Sequence, residues 1–582
     1  MAPSTAPVYA FGNFRLYAAK RLLTVGDGKA VSLTPKAYDT LAFLVEHAGT
    51  VISKDELMRA IWPDTAVEEN NLTQNISLLR RALCEERGEH RYIATVPGRG
   101  YQFVAQVSIA YTKPVGGEPR ASASIAVLPF INISADPDYD YFGDGLAEEI
   151  INALSKLGGV RVVARTSAFS FKGTQVDIRE IANRLGVNLV LEGSVRNSGS
   201  RMRITAQLVN AADGYHLWSE RYDREIEMDN IFDVQDEITV AVVDALKMKL
   251  PQAERSAVLK HATENIRAHE LCLKGRFHMF RMTRSGIEAG ISYFEKALDA
   301  DPSYALAQVG LAHAYRMFGL SLEMPAHEIG QKAKAAALKA IELDDTLGEA
   351  HAVFAFSLLW YEWAWDKSQK HFERALELEP NNAYTHWMYA HLCSNLGRHM
   401  EALAAIARAR ELDPLSGLIH AMEGQFLLHA GRIGDAIDRL RDALELDSKS
   451  RVAHLFSANA YIEKGCLREA VEEASAARSL SPSNINALAV EAYANAKQGR
   501  TDQARRALEE CLEARKHGYV SPYCIALICN GLQQPGEALT WLERAFDERD
   551  PWMVFLKVEP KWNNLRGDPR FVQLLNRLKL LP

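Results

Sequence analysis

The chain has no apolar run approaching the roughly 18 residues that span a bilayer. Its start, MAPSTAPVYAFGNF, lacks the basic head and apolar core of a secretory signal. Both absences lead us to expect a cytoplasmic protein with no membrane attachment. Cysteine is sparse: Cys84, Cys272, Cys393, Cys466, Cys511, Cys524 and Cys529 are the seven in 582 residues. None forms a CxxC pair and no His/Cys cluster has zinc spacing, which excludes a disulfide scaffold and a zinc module. Reduced, mostly buried thiols are expected. The 17 histidines are dispersed. GxxxxGK[ST], HExxH and the Rossmann fingerprint are missing, and Leu191-Glu192-Gly193-Ser194-Val195 lacks the glycine pattern of a nucleophile elbow and reads as a strand. We therefore expect no catalytic residues, no cofactor, no metal and no enzyme activity. Positive charge is not in surplus either. The net charge of −7 excludes a protein that coats nucleic acid with its whole surface, but not a local cationic module.

What is present is a soluble globular composition, 48% hydrophobic and 24% charged. The length implies three or four domains. Residues 8–106 begin with strand-like runs, Tyr9–Leu16, Arg21–Leu23 and Val31–Leu33, the last two flanking a Gly26-Asp27-Gly28 turn. Three helices follow. Thr34 can cap the first, with Pro35 in its first turn. Ser53 and Glu56 form a capping-box pattern for the second, which ends near Trp62-Pro63. The third runs from Glu68 to Cys84, with Leu72, Ile76, Leu79 and Leu83 at helical spacing. A hairpin, Tyr92–Phe103, closes the unit.

Residues 107–123 (VSIAYTKPVGGEPRASA) read as a linker. Residues 124–250 alternate as β-α-β-α-β-β: strands Ile125–Phe130, Val160–Val163, Leu189–Val195 and Met202–Val209, with helices Gly145–Leu157 and Ile178–Leu185. A last helix, Ile231–Leu250, follows. This order predicts a small α/β domain. Asp136, Asp138, Asp140 and Asp144 suggest calcium, but Tyr141 and Ala147 stand where an EF-hand loop needs Gly and Glu. Gly143-Asp144-Gly145 reads as a turn and cap in preference to an anion site.

From residue 262 the chain repeats. Gly397, Gly431, Gly465 and Gly499 lie 34 residues apart. Small residues recur in phase: Ala390, Gly424, Ala458, Ala492 and Ala526; Ala402, Ala436, Ala470, Ala504 and Ala538; Ala409, Ala443, Ala477, Cys511 and Ala545. Earlier copies are less regular, and about eight helix pairs are expected to stack into a right-handed superhelix. Trp360, Trp363 and Trp365 crowd one early repeat, as core or as an anchor for a partner peptide. The tail, residues 551–582, is expected to cap the open end of the stack.

Three stretches resemble known families. LTPKAYDTLAFL, ISKDELMRAIW, NISLLRRAL and TVPGRGYQF resemble the OmpR/PhoB-type winged helix, the last most like the CadC branch. That resemblance implies a third helix entering the major groove and a wing reaching the adjacent minor groove. SIAVLPFINIS, YFGDGLAEEI, RVVARTSAFSFKG and LEGSVRNSG resemble the N-terminal domain of TolB over residues 124–225, which implies a protein-contact or sensing role. The register of residues 262–550 resembles the tetratricopeptide pattern. The expected fold class is multidomain, α+β and all-α: a winged helix-turn-helix, a small α/β domain and a tetratricopeptide-repeat superhelix.

With the leucines facing inward, Asn71, Gln74, Asn75, Ser77, Leu78 and Arg81 fall on or near the outer face of the third helix. Asn and Gln can pair with adenine and Arg with guanine. Lys36, Thr73 and Arg80 are better placed for phosphates. Arg99, between two glycines at the hairpin tip, suits a narrow minor groove. The resemblance makes the loop holding Trp62, Pro63, Asp64 and Thr65 a site that can touch RNA polymerase, or else a plain connector. Acidic neighbours (Glu68, Glu69, Glu85, Glu86, Glu89) suggest weak binding by one copy, hence a dimer on half-sites about one DNA turn apart. The expected function is that of a bacterial transcription regulator acting on promoter DNA. Its α/β and repeat domains would transduce a signal by binding a protein or peptide. The rival reading is an interaction scaffold that uses the winged helix for protein docking. No receiver domain precedes the winged helix in the sequence, so control by aspartyl phosphorylation within it is not expected.

Overall fold

The computed structural model describes residues 6–17, 22–25, 29–31, 33, 35–61, 69–83, 85, 91–96, 98–105, 108–112, 123–134, 140–157, 159–198, 201–225, 231–245, 262–281, 283–319, 326–482 and 484–581. They belong to two units, Met1–Arg120 and Ala121–Pro582.

The first unit starts with strands β1 (Ala6–Phe11), β2 (Phe14–Tyr17), β3 (Leu22–Val25) and β4 (Lys29–Val31). The run expected as one strand, Tyr9–Leu16, is instead a hairpin. It turns at Gly12, whose φ of +52° suits glycine, and it pairs Phe11 with Phe14. Helices α1 (Pro35–Glu46), α2 (Lys54–Ile61) and α3 (Glu69–Ala82) follow, and the Ser53 hydroxyl caps α2 by accepting from Glu56 N at 3.2 Å. Strands β5 (Val51–Ile52), β6 (Ile93–Val96) and β7 (Gly100–Phe103) form a small sheet in the order β5-β7-β6. Leu41, Leu44, Leu57, Leu72, Ile76, Leu79 and Phe103 share one core. Burying each aliphatic side chain contributes about 1.5–3 kcal/mol, so the inward stripe of α3 fixes its rotation about its own axis. One boundary moves. Ser108–Thr112, read as linker, is a strand, β8, antiparallel to β1. Its short alternation Ile109, Tyr111 lies beside a Pro/Gly-rich stretch that masks the strand signal.

In the second unit the sheet has the order β11-β9-β12-β13-β14, with β10 on β12. The strands are β9 (Ala123–Val127), β10 (Ile131–Asn132), β11 (Val160–Val162), β12 (Leu189–Ser198), β13 (Arg201–Asn210) and β14 (His216–Glu225). β9, β11 and β12 are parallel, β13 and β14 antiparallel. Helices α4 (Asp140–Ser155) and α7 (Ile231–Ala245) share one apolar layer with the sheet; α5 (Arg165–Phe169) and α6 (Ile178–Leu185) share the other. β14 was not expected, because its mostly exposed residues show little apolar alternation. A Cβ on Gly143 would lie 2.4 Å from Phe130 O, so this glycine serves close packing of α4 on the β9–β10 turn. Asp144 pairs with Lys172 at 2.7 Å; Asp136 and Asp138 lie outside the described residues.

Eight helix pairs follow among the described residues, from Ile266–Met279 with Arg284–Ala300 to Pro522–Gly531 with Pro535–Asp547. Gly397, Gly431, Gly465 and Gly499 all take φ between +75° and +84° at the turn inside a pair, the left-handed cap that ends a helix cheaply only with glycine. The phased alanines at 402, 436, 470, 504 and 538 are fully buried. Six cysteines are described and all are unpaired thiols.

The tail does more than cap an open end. After the last pair it runs through short 3-10 turns, Pro551–Phe555 and Pro560–Leu565, to the helix Pro569–Arg577. Along the way it packs on the first helices of several pairs. Trp360 lies 5.5 Å from Phe555 and 6.2 Å from Trp552, and His429 lies 5.8 Å from Phe555. Lys557 Nζ donates to Leu396 O and Trp365 Nε1 to Leu578 O. The three tryptophans are thus core; the tail covers Trp360 and Trp365, while Trp363 packs on Phe546 of the last helix pair.

The sheet domain is joined to the repeats by buried polar contacts. Ser167 N and Oγ donate to Asp413 Oδ1 at 2.9 and 2.5 Å, Ala164 N donates to Leu412 O at 2.7 Å, and Asn381 Nδ2 reaches Leu157 O and Val160 O at 3.0 and 2.9 Å. Burial pushes the Asp413 carboxyl up to about 6, against the hydrogen bonds from Ser167.

Candidate nucleic-acid interface

Helix α3 buries Leu72, Ile76 and Leu79 and ends before Leu83, which is also buried. The opposite side therefore faces solvent. Asn71, Gln74, Leu78 and Arg81 are exposed and follow one another at helical spacing. Thr73 and Ser77 flank them, also exposed, and Ser77 Oγ donates to Thr73 O at 2.9 Å. Leu78 is 42% exposed, an apolar side chain of the size that meets a thymine methyl.

Asn75 does not belong to that face. It is 8% exposed, and its Nδ2 points to Thr40 Oγ1 on α1 at 3.5 Å. The 3.6-residue period turns position 75 toward α1, alongside Leu72 and Leu79, so Asn75 serves helix packing and is withdrawn from the base-reading set.

Arg80 also takes a different part from the one expected. It is half-buried, with Nη2 donating to Ile93 O at 2.9 Å and to Thr95 Oγ1 at 2.7 Å, and Nε 3.8 Å from Glu85 Oε2. Glu85 in turn accepts from the backbone N–H groups of Tyr92 and Ile93. These bonds tie the end of α3 to the first strand of the wing and commit Arg80 Nη2 to the protein. They also consume Glu85, one of the acidic neighbours expected to weaken DNA binding. Lys36 is exposed at the first turn of α1 and its Nζ donates to Ile61 O at 2.5 Å, holding the end of α2.

Arg99 is exposed at the turn between β6 and β7, where its N donates to Val96 O at 3.0 Å. The glycines on either side have φ of +71° and +147°. A Cβ on Gly100 would come 1.9 Å from Ile52 O; no side chain fits there, and the wing can cross β5 only with glycine. Gln102 Nε2 donates to Gly49 O at 2.7 Å and braces the same crossing. Trp62, Pro63, Asp64 and Thr65 lie outside the described residues.

The arrangement is a helix face carrying amide, hydroxyl, apolar and guanidinium groups, and a hairpin tipped by a guanidinium locked to it through Arg80. Such a pair can read base edges with one element and track a groove with the other. Helical spacing, about 100° per residue, sets Arg80 apart from Arg81, but it carries no sign of the bonds to Ile93 and Thr95 that hold Arg80 against the wing. Among the described residues no group of three or more His, Cys, Asp or Glu side chains could hold a metal, and no helix is long and apolar enough to cross a membrane.

Comparison with known proteins agrees with this architecture. Residues 28–103 match the family described as transcriptional regulatory protein, C terminal. Residues 121–241 match the second domain of HilA/YgeH-like transcriptional regulators, and residues 371–404 and 390–451 match tetratricopeptide repeats. A Rhizobium meliloti (strain 1021) protein named "Putative adenylate cyclase 3" is 38% identical over 241 residues, 41% of either chain. The transcriptional regulator HilA of Salmonella typhimurium is 26% identical over 344 residues, 59% of either chain. The transcriptional activator CadC of Escherichia coli is 39% identical over 114 residues, 19% of this chain and 22% of CadC. The chain thus spans between 41% and 59% of the length of the first two relatives.

Proposed function

We propose that this protein is a sequence-specific DNA-binding transcription regulator, in which α3 reads the major groove and the β6–β7 hairpin the neighbouring minor groove. The observation that carries this reading is the exposed stripe Asn71, Gln74, Leu78, Arg81 on a helix that Arg80 ties to the hairpin bearing Arg99. In it Gln74 and Arg81 contact bases, Asn71, Ser77 and Leu78 contribute to the same face, and Thr73, Lys36 and Arg99 meet the backbone or minor groove. The relatives named as regulators support it. The loop at Trp62, Pro63, Asp64 and Thr65 is proposed as a polymerase contact, and two copies are proposed to occupy half-sites about one DNA turn apart.

The α/β domain and repeats are proposed to receive the signal through a protein partner, a role in keeping with the resemblance of residues 124–225 to TolB. Because the C-terminal tail already packs along the first helices of the repeats, a partner using that face must displace the tail. A partner can shift the DNA-competent population only through differential affinity for the two states. The reading assigns no catalysis to the chain; the cyclase name belongs to a relative of which 41% is matched.

The test is selection of bound DNA by the full chain, then competition binding at fixed salt. Gln74→Ala/Arg81→Ala is expected to erase the preference of the selected site over random DNA, and Arg99→Ala to weaken both with little change in their ratio. Unchanged preference in the double variant would overturn the reading.

A further inference from the structure

A cavity of about 520 Å³ opens where the sheet domain meets the first repeats, walled by α4, the start of α5 and the helices Ile266–Met279, Ala305–Gly319 and Gly348–Ser357. That volume is in the range that takes a small organic ligand. Three arginines line it: Arg165, Arg276 and Arg316. The first two share one carboxylate, Glu148, which lies 2.7 Å from Arg276 Nη1 and 3.1 Å from Arg165 Nε.

Arg316 is left over. It is 4% exposed, and its Nε has no hydrogen-bond partner. Among the described residues no carboxylate pairs with its guanidinium, which instead lies over Phe356 and Trp387 at 5.4 and 5.8 Å from the ring centroids. The nearby Glu349 is taken by His313, whose Nε2 is 3.0 Å from Glu349 Oε1. Glu379, also on the wall, accepts from Asn382 Nδ2 and Glu349 N, and burial raises its pKa, which favours the neutral acid. Glu149, Asp236 and Asp344 line the cavity too, but are only half-buried. Glu349 acts on Arg316 only through its charge, without a contact, and a guanidinium nine-tenths buried with no carboxylate against it is costly. The aromatic shelf beneath it offsets part of that cost, and the open side of the group faces the cavity.

We propose that this cavity binds a small organic anion, its charged group held by Arg316 and its apolar body lying against Met279, Met317 and Tyr384. The walls come from two parts of the chain, so an occupant would also brace the sheet domain against the repeats. The site stands or falls independently of whether α3 reads DNA.

The experiment uses the full chain and two dyes of similar shape, the anionic 8-anilinonaphthalene-1-sulfonate and the neutral N-phenyl-1-naphthylamine, followed by fluorescence titration. The wild type is expected to bind the anion at one saturable site at least tenfold more tightly than the neutral dye. Arg316→Met, which keeps the bulk and removes the charge, should abolish that preference. Should Arg316→Met fail to melt like the wild type, Thr166→Trp keeps the charge and fills the cavity from its exposed edge. It should weaken the anion at least tenfold. Equal affinity for both dyes in the wild type, a preference that survives Arg316→Met, or unchanged anion binding in a folded Thr166→Trp overturns the proposal.

Discussion

Helix α3 and the junction around Glu148 both depend on arginines, and they use them in opposite ways. Arg81 stands exposed on a helix whose orientation follows from its own leucines. Arg276 is 6% exposed and meets a carboxylate 128 residues away in the chain. An exposed guanidinium is solvated and ready to exchange water for a ligand. A buried one is stabilised only as long as its particular partner stays in place. Arg80 stands between the two: one residue from Arg81, it is already half-committed to the wing. The contrast teaches that the residue type says little until its solvation is known.

The largest effect expected from this contrast is at the junction. Glu148→Ala strands Arg165 and Arg276 and should cost about 3–5 kcal/mol, read by chemical denaturation of the full chain, whereas Arg81→Ala should stay within about 0.5 kcal/mol. A Glu148→Leu/Arg165→Met/Arg276→Met triple variant, which leaves neither arginine stranded, should recover much of the loss; if it does not, the shared carboxylate is not what holds the junction. Next is Gly100→Ala, which places a methyl against Ile52 O and should cost about 2–4 kcal/mol. Hydrogen exchange across residues 93–103 should accelerate, and unchanged protection would mean the wing does not cross β5 as described.

Arg80→Ala should cost about 1–2 kcal/mol by leaving Ile93 O and Thr95 without their donor. It should weaken DNA binding while keeping sequence preference, the reverse of Arg81→Ala; equal loss of preference in both would erase the distinction between the two positions.

The smallest effect is a pH dependence in the tail's grip. Burial pushes His391 down to about 3 and His429 to about 4. The unfolded chain protonates these rings near pH 6.5 and the folded one does not, so their stabilisation is complete above that pH and is lost as pH falls toward 4. Asp413 and Asp550, both pushed up to about 6 by burial, act the other way: their neutral forms favour the fold below about pH 4, and that advantage is lost as pH rises through 6. Between pH 7 and 5, His429→Gln should therefore lose less stability than the wild type, by about 1–2 kcal/mol. Parallel pH curves for the two proteins would show that His429 is not held neutral.

Local periodicity made much of the fold legible. The inward leucines of α3, the capping pattern at Ser53 and the 34-residue recurrence of glycine all lead to elements within a few residues of those found. Each rests on contacts between near neighbours in sequence. Strands β8 and β14 escaped because their signal is not local. β8 sits at the edge of a Pro/Gly-rich stretch, and β14 is an exposed edge strand whose register comes from β13. In the candidate interface the outward face of α3 could be read to within one residue. Asn75 and Arg80 could not, because Thr40 and the carbonyl of Ile93, which claim them, lie 35 and 13 residues away.

By itself, the sequence determined which faces of the helices are apolar, where each repeat stops and which glycines must turn, since these follow from side-chain spacing and backbone sterics. Only the tertiary structure decided that the tail closes over Trp360 and Trp365, that Ser167 and Asp413 join the sheet domain to the repeats, and that Arg316 is left facing a cavity. Those outcomes depend on which distant groups come within hydrogen-bonding distance once water is excluded, and chain periodicity carries no information about that.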